Sequence, residues 1–176
     1  DSHWWYLGMR SVLDRLIGDR LSGPGVRLLD AGCGTGGFLA WASSRYNVNA
    51  PAGADVSSAA IDLAKTRVPN ADLRVASLSA LPWDDNSFNL VVTQDVLQHI
   101  AEDELDVSLR ELRRVLQSGG VLFVRTNGAR RLRRVRDDWR AFDTATVTHL
   151  LEKASFRVRR VTHANMLLSL WGSVRG

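Results

Sequence analysis

Short apolar runs alternate with helical stretches along most of the chain, and this alternation constrains the fold more than any other feature of the sequence. The apolar runs cover residues 26–30, 73–76, 88–94 and 121–126, and a further strand is predicted to end at 53–55. Parallel strands require long crossover connections, which are usually helices. The order therefore predicts one α/β domain, with a doubly wound, mostly parallel sheet and helices on both faces.

The helical stretches are predicted from apolar periodicity and from end signals. An apolar stripe runs through 4–21, and the turn residues 22–25 end that helix. Ser57 is placed to cap a helix over 58–67, because its hydroxyl can accept an unpaired backbone N–H. Helices are also predicted over 36–46, over 102–116 with Gly119-Gly120 as its stop, and at about 143–154, with a strand at about 156–162.

Cysteine usage narrows the classes of protein. The 176 residues contain a single cysteine, Cys33, so no internal disulfide and no CxxC metal site can form. We expect a cytoplasmic protein without a metal and without a membrane association. No apolar run approaches the roughly 18 residues that span a bilayer.

A glycine-rich segment follows the first predicted strand. It reads Asp30-Ala31-Gly32-Cys33-Gly34-Thr35-Gly36-Gly37, and in open parallel sheets ligands bind beyond the carboxyl ends of strands. Gly32, Gly34 and Gly37 satisfy GxGxxG, and Asp55 has the acidic spacing expected for NAD binding. However, the Asp30 carboxylate would repel a pyrophosphate and would favour an ammonium or sulfonium group instead. An NAD-dependent oxidoreductase is therefore an alternative that the loop disfavours.

Four ordered segments carry a family resemblance. They are the glycine loop at 30–36, Gly53-Ala54-Asp55-Val56-Ser57, residues 81–92 from Leu81-Pro82-Trp83 onwards, and Arg114-Val115-Leu116-Gln117-Ser118-Gly119-Gly120-Val121-Leu122. Together they resemble the class I S-adenosylmethionine-dependent methyltransferases over residues 26–126, which implies a Rossmann-like fold. His3-Trp4-Trp5-Tyr6 with Arg10 resembles the start of a small-molecule branch of that family.

The resemblance implies a set of cofactor contacts. The glycines would line the methionine part, Asp30 would accept from its ammonium group, and Asp55 would accept from both ribose hydroxyls. Ser77 stands where this family often carries an acidic residue for the adenine amino group, so recognition would lean on the Leu78 N–H. The residues implied to bind S-adenosylmethionine are Asp30, Gly32, Cys33, Gly34, Gly36, Asp55, Val56, Ser77, Leu78, Gln94, Tyr6 and Arg10.

A general base is harder to identify. His99 follows the fourth predicted strand, and a histidine near neutrality can deprotonate an acceptor. The alternative is that it only forms the wall of the site. His149 and His163 lie outside the strand-end positions and are expected to be ordinary surface or core residues. Trp83 is expected to form wall or core rather than a stacking platform.

The charge is concentrated in one segment. The net charge is +4, and the arginines of 125–140 face only Asp137 and Asp138. This segment is either a solvated surface or a lid over an anionic acceptor. A small-molecule acceptor, methylated on oxygen or nitrogen by in-line displacement, is the first hypothesis. An RNA methyltransferase using the basic segment and a non-catalytic S-adenosylmethionine-binding protein stay open. The arginines are Arg125, Arg130, Arg131, Arg133, Arg134, Arg136 and Arg140.

Two units are expected. Residues 1–22 form an N-terminal helix that covers the site, and residues 23–176 form the methyltransferase domain. No clear seventh strand is readable before the end of the sequence, so we expect a truncated C-terminal edge. A monomer or a homodimer is expected.

Overall fold

The strands that the structure describes form one parallel sheet. The computed structural model describes residues 4–46, 48, 50–128 and 140–163. Within them, five strands lie in the order β3-β2-β1-β4-β5, and every neighbouring pair is parallel. The strands are β1 Leu28–Ala31, β2 Ala52–Asp55, β3 Asp72–Val75, β4 Phe88–Gln94 and β5 Leu116–Arg125.

Helices connect β1 to β2, β2 to β3 and β4 to β5 as predicted, and a loop without a helix connects β3 to β4. The helices are α1 Trp4–Leu21, α2 Gly37–Tyr46, α3 Ser58–Arg67, α4 Glu102–Val115 and α5 Thr144–Lys153, with a short 3-10 helix at Leu97–His99. Ser57 caps α3 by accepting the Ala60 N–H at 3.2 Å, and Asp143 caps α5 in the same way. The start of α4 is acidic and its last turn is basic, which suits the helix dipole.

Two apolar layers cover the sheet, one on each face. Along β4, Leu90 and Val92 face one layer and Val91 faces the other, as expected for a strand buried on both sides. The first layer takes side chains from α1, α2 and α3, and the second from α4 and α5. The predicted doubly wound α/β domain is therefore confirmed.

The structure corrects two predicted boundaries. Gly119-Gly120 does not stop α4, because the helix ends at Val115 and β5 begins at once. Phe88 and Leu90 of β4 pair with Leu116 and Val121 of β5. One residue of β4 therefore faces four of β5, and the glycines form a bulge in the strand. Gly119 has φ +75°, which a residue without Cβ adopts at little cost.

The predicted strand at 156–162 is wrong. Residues 156–163 have no strand assignment and pair with none of the described strands. Phe156 packs on the second apolar layer and its N–H donates to the Leu151 carbonyl, which ends α5. Beyond it Val161 is 42% exposed, so the segment offers no apolar face that would hold it against the sheet.

Arg114 fixes the loop before β4 to α4. Its guanidinium donates to both carboxylate oxygens of Glu111, to Asp85 and to the carbonyls of Leu81 and Trp83, at 2.7–2.9 Å. The Leu81 N–H in turn donates to Glu111 at 2.9 Å. These hydrogen bonds hold the pKa of the Glu111 carboxyl below its usual range. Sequence patterning assigned Arg114 only to the helix dipole and the family resemblance.

Candidate cofactor site at the carboxyl edge of the sheet

Asp30 lies in the middle of the sheet, near the carboxyl end of β1. It pairs in register with Gly53 of β2 and Val92 of β4, and it is only 2% exposed. The pKa of its carboxyl is raised to about 7: burial is the largest cause, the Asp55 carboxylate adds to the rise, and the Arg125 guanidinium opposes it. A buried carboxyl with a pKa near neutrality favours the binding of a ligand cation, because the cation stabilises its ionised form.

Four backbone N–H groups of the glycine loop donate to acceptors inside the protein. Those of Gly32 and Cys33 both donate to the Ala54 carbonyl, at 2.8 and 2.9 Å. That of Gly34 donates to the Asp55 carboxylate at 2.9 Å, and that of Gly36 to the Cys33 carbonyl at 2.9 Å. A phosphate cradle needs such groups to point at the ligand. Their internal use disfavours the dinucleotide alternative on structural grounds.

The three loop glycines with positive φ serve two purposes. All three have positive φ, +86° at Gly32, +51° at Gly34 and +75° at Gly36. A Cβ on Gly32 would meet Val96 Cγ2 at 2.2 Å, and one on Gly36 would meet Ala64 Cβ at 3.1 Å. A Cβ on Gly34 would meet nothing within 4 Å. Gly32 and Gly36 thus allow close packing, and Gly34 borders open space where a ligand can approach.

Asp55 ends β2 and faces the same edge as Asp30. Its second carboxylate oxygen accepts the Ser57 N–H at 3.0 Å, and its side chain is half-buried. A carboxylate oxygen has a second acceptor site, so both oxygens can still accept from a vicinal diol. The next residue, Val56, is 71% exposed, which is unusual for a large aliphatic side chain at a strand end. An exposed valine there can pack on a flat ring.

The backbone of Cys33 forms part of the glycine loop, whereas its thiol lies in the apolar layer beneath it. The side chain is 7% exposed and belongs to the layer that contains Leu39. Burial, followed by the charges of Asp30 and Asp55, raises the pKa of the thiol to about 12. The thiol is therefore protonated and unreactive at neutral pH. This arrangement agrees with an apolar support beneath the loop.

The adenine-side candidates lie after β3. The Ser77 hydroxyl is 2.8 Å from the Ser79 hydroxyl and accepts the Ser79 N–H at 3.2 Å, so it stabilises its own turn. The Leu78 side chain is buried. Trp83 packs edge-on against Phe88 and donates its indole N–H to Asp72 at 2.8 Å, as expected for a wall residue.

The remaining candidates lie after β4 and along α1. Gln94 is the half-buried last residue of β4, and His99 is exposed in the short 3-10 helix that follows. Arg10 lines a cavity of about 500 Å³ beside Gly37 at the start of α2, with Trp41 and Arg67. Asp30 and Asp55 are not among the described residues that line it.

Several residues singled out from the sequence lie outside the described part of the chain. The side chain of Tyr6 lies outside the described part of the chain, as do His3 and the basic residues Arg130, Arg131, Arg133, Arg134 and Arg136. His149 and His163 are exposed. The described residues contain no group of three or more histidine, cysteine or acidic side chains arranged for a metal ion. In the same ranges, no helix is long and apolar enough to cross a bilayer.

One ion pair at this edge was not assigned a role from sequence. Arg125, the last residue of β5, contacts the carboxylate of Asp95, the first residue after β4, through Nε at 3.2 Å and also through Nη2. The sequence patterns gave Asp95 no role and placed Arg125 only in the basic segment. Asp95 follows β4 and Arg125 ends the adjacent strand β5, and this placement could have predicted the ion pair.

Comparisons with known proteins agree on one family. Residues 29–124 match the family described as "Methyltransferase domain". Malonyl-[acyl-carrier protein] O-methyltransferase from Serratia marcescens is 33% identical over 135 residues, which cover 76% of this chain and 51% of that protein. Ubiquinone biosynthesis O-methyltransferase from Sinorhizobium fredii is 34% identical over 106 residues, 58% of this chain and 41% of that protein.

A solved structure gives the same fold. An S-adenosylmethionine-dependent methyltransferase from Mesorhizobium loti superimposes with a TM-score of 0.69 at 19% identity, over 87% of this chain and 86% of that one. The chain spans about half the length of the curated relatives it matches.

Proposed function

The chain belongs to the methyltransferase domain family of class I S-adenosylmethionine-dependent methyltransferases, and we propose that it methylates a small molecule on oxygen or nitrogen. The observation that carries the proposal is the grouping of Asp30, Gly34, Asp55 and Val56 at one edge of the sheet. That edge offers a buried carboxyl, an open glycine, a second carboxylate and an exposed aliphatic side chain. Nothing in the comparisons favours the RNA or non-catalytic alternatives.

These residues fit the parts of S-adenosylmethionine one by one. The near-neutral carboxyl of Asp30 suits an ammonium group, which would favour its ionised form. Asp55 suits the ribose diol, and Val56 suits one face of the adenine ring. Gly34 allows the chain to approach the methionine part closely, because no Cβ intervenes. Gln94 and Ser77 complete the proposed wall, together with the Leu78 backbone.

The proposed chemistry makes limited demands on the protein. S-adenosylmethionine, when bound, supplies an electrophilic methyl group with a neutral leaving group. The residues of this chain must align the acceptor with that methyl group and exclude water. They must also remove one proton from a hydroxyl or amine acceptor. His99, exposed just beyond β4, is our candidate general base.

The acceptor is proposed at two levels of detail. The two O-methyltransferase relatives support an oxygen acceptor on a small molecule. The basic segment that starts at Arg125 supports an anionic one, because Arg125 itself lies at the carboxyl end of β5, the end at which parallel sheets bind ligands. We also infer that residues 1–22 cover the site, since Arg10 of α1 lies next to the start of α2. A cytoplasmic monomer or homodimer is the corresponding proposal for location and assembly.

Calorimetric titration tests the cofactor directly. We expect micromolar binding of S-adenosylmethionine or S-adenosylhomocysteine to the full chain, and no comparable binding of NAD. An acceptor screen with S-adenosylmethionine then follows methyl incorporation by mass spectrometry. Clear NAD binding without S-adenosylhomocysteine binding would overturn the proposal.

A further inference from the structure

Arg125 and Asp95 meet at the edge where the acceptor must lie. Gln94 and Arg125 are register partners, so both residues sit at the carboxyl ends of adjacent parallel strands, β4 and β5. Asp30 lies in β1, on the other side of β4. Two strand spacings, roughly 10 Å, therefore separate the backbone of Arg125 from the backbone of Asp30, the residue proposed to bind the ammonium group. That distance leaves room for the transferred methyl and an acceptor between them.

The pair has the geometry of substrate recognition by arginine. Two nitrogens of the guanidinium, Nε and Nη2, face the two carboxylate oxygens of Asp95 side by side. This fork fits any carboxylate in the same way. The side chains are 25% exposed for Arg125 and 48% exposed for Asp95, so solutes can reach them.

Asp95 is held in place by features other than the ion pair. Its backbone has φ +57°, a left-handed conformation that is uncommon outside glycine. Its N–H donates to the Arg125 carbonyl at 2.8 Å, and the next residue, Val96, packs into the space above Gly32. Since these contacts already fix the turn, the partly exposed ion pair is not needed to hold it. A ligand can replace the carboxylate without unfolding the turn.

Arg125 differs from Arg114 and Arg74, the two other described arginines that contact both oxygens of a carboxylate. Arg114 makes five hydrogen bonds to four residues and cannot take a ligand without losing some of them. Arg74 pairs with Asp72 in an equally forked geometry, with both contacts at 2.9 Å, but both belong to the edge strand β3. Only Arg125 presents a forked pair at the acceptor side of the cofactor site among these three.

From this arrangement we infer that Arg125 binds a carboxylate of the methyl acceptor, and that the Asp95 carboxylate occupies the guanidinium until the acceptor replaces it. The inference rests on the proposed function for the identity of the ligand as an acceptor. It narrows the anionic acceptors to those with a carboxylate that can match the fork. Asp95 acts as an internal competitor, so an acceptor without a carboxylate gains nothing from Arg125.

Binding of benzoate, with benzamide as the uncharged probe, tests this subsite without knowledge of the true acceptor. The full chain is labelled with ¹⁵N, and the Arg125 Nε–Hε signal is assigned by its loss in Arg125→Lys. We expect benzoate to shift this signal saturably, and benzamide to leave it unchanged. Asp95→Asn should tighten benzoate binding by about fivefold, the upper range for losing a partly exposed ionic competitor. Arg125→Gln should abolish the saturable binding. The Arg125→Gln and Arg125→Lys proteins lack the Arg125 signal, so their binding is followed through the backbone amide signal of Asp95.

The remote pair supplies matched controls. Asp72→Asn and Arg74→Gln remove the same charges from a forked pair away from the site, and both should leave benzoate binding unchanged. If Asp95→Asn weakens or does not change benzoate binding, Asp95 is not a competitor and the inference is wrong. If Arg125→Gln is unstable in a melting experiment, Arg125→Lys decides. Lysine keeps the charge but lacks the fork, so benzoate binding should still fall by about tenfold, one order of magnitude.

Failure of the subsite and failure of the proposed function give different results. S-adenosylhomocysteine binding with no benzoate binding would overturn the subsite and leave the methyltransferase proposal intact. Benzoate binding at Arg125 with no S-adenosylhomocysteine binding would leave a carboxylate site and overturn the methyltransferase proposal. Benzoate binding by both unliganded and S-adenosylhomocysteine-saturated protein supports the subsite beside the proposed cofactor.

Discussion

The Asp55 carboxylate accepts the backbone N–H of Gly34 at 2.9 Å, across 21 residues of sequence. This hydrogen bond joins the end of β2 to the glycine loop after β1. The loop is therefore already shaped before any ligand binds. In the proposed function the same carboxylate also receives the ribose hydroxyls, so Asp55 both forms the site and contacts its ligand.

We expect Asp55→Ala to weaken S-adenosylhomocysteine binding by roughly 100-fold, because about two hydrogen bonds to a charged acceptor are lost. The measurement is calorimetric titration. Asp62→Ala is the control, since Asp62 is an exposed aspartate on α3 that pairs only with Lys65. Equal affinities for the Asp55→Ala protein and the unsubstituted protein would rule out the ribose role.

We expect Gly34→Ala to fold and yet lose most of its S-adenosylhomocysteine affinity. A Cβ there meets no protein atom within 4 Å, so the cost to folding is the left-handed backbone alone, about 1–2 kcal/mol. The same Cβ would project into the space assigned to the ligand. Gly25→Ala is the matched control, because Gly25 also has positive φ and open space but lies away from the site. Loss of affinity in both variants, or in neither, would contradict the assignment.

We expect Asp30 to make the protein less stable as pH rises. Its pKa is raised from 3.8 to about 7, so between these values the folded carboxyl keeps a proton that the unfolded one has released. The unfolding free energy therefore falls from about pH 4 to pH 7, on the order of 2–4 kcal/mol. Asp30→Asn should remove that slope, as measured by denaturant titration at pH 5 and pH 8. A stability difference between the two proteins that does not change with pH would contradict the shift.

The same carboxyl predicts a pH dependence of ligand binding. If the ligand ammonium pairs with ionised Asp30, S-adenosylhomocysteine binding should release a proton below about pH 7 and tighten as pH rises toward 8. Calorimetry at pH 6 in two buffers of different ionisation enthalpy measures the proton. Release of the same size from Asp30→Asn would place the titrating group elsewhere.

We expect Arg114→Ala to destabilise the protein by about 2–4 kcal/mol, because it leaves Glu111 and two backbone carbonyls without their partner. Cofactor affinity should change little in the fraction that remains folded. Arg114 and its four partners, the Arg114 hub, join α4 to the loop before β4, and Arg114 is near the first residues of β4 and β5 rather than their carboxyl ends. Arg113→Ala, which removes one bond to the Leu116 carbonyl, should cost less than half as much. Denaturant unfolding of the two variants makes the comparison. Similar losses would show that the hub is not the source of the stability.

Much of the fold was predictable because local and global signals agreed. The run 88–94 is largely apolar and forms β4 with those bounds, and Ser57 caps α3 as its side chain allows. The start of β5 was missed because Gly119-Gly120 looks like a helix stop. Only pairing with β4 shows that it is a bulge. The strand predicted at 156–162 failed because a strand needs a neighbour, which local composition does not report.

The placement of the candidate residues was predictable where it follows from a position in a motif. Asp30, Gly34 and Asp55 lie together as the loop and strand-end positions indicated. The Asp95–Arg125 pair and the Arg114 hub were not predicted, because each joins residues about 30 positions apart through side-chain geometry. Spacing alone does not reveal which charges meet.

Because the thiol of Cys33 is buried, the protein can be labelled with a dye at a chosen position. Cys33 is the chain's single cysteine, and its pKa of about 12 leaves almost no thiolate at pH 7 to react with maleimides. A cysteine introduced on an exposed position such as Val56 would therefore carry a fluorophore alone, without any need to replace the native one. Ligand arrival beside Val56 could then be followed in real time by the emission of that dye.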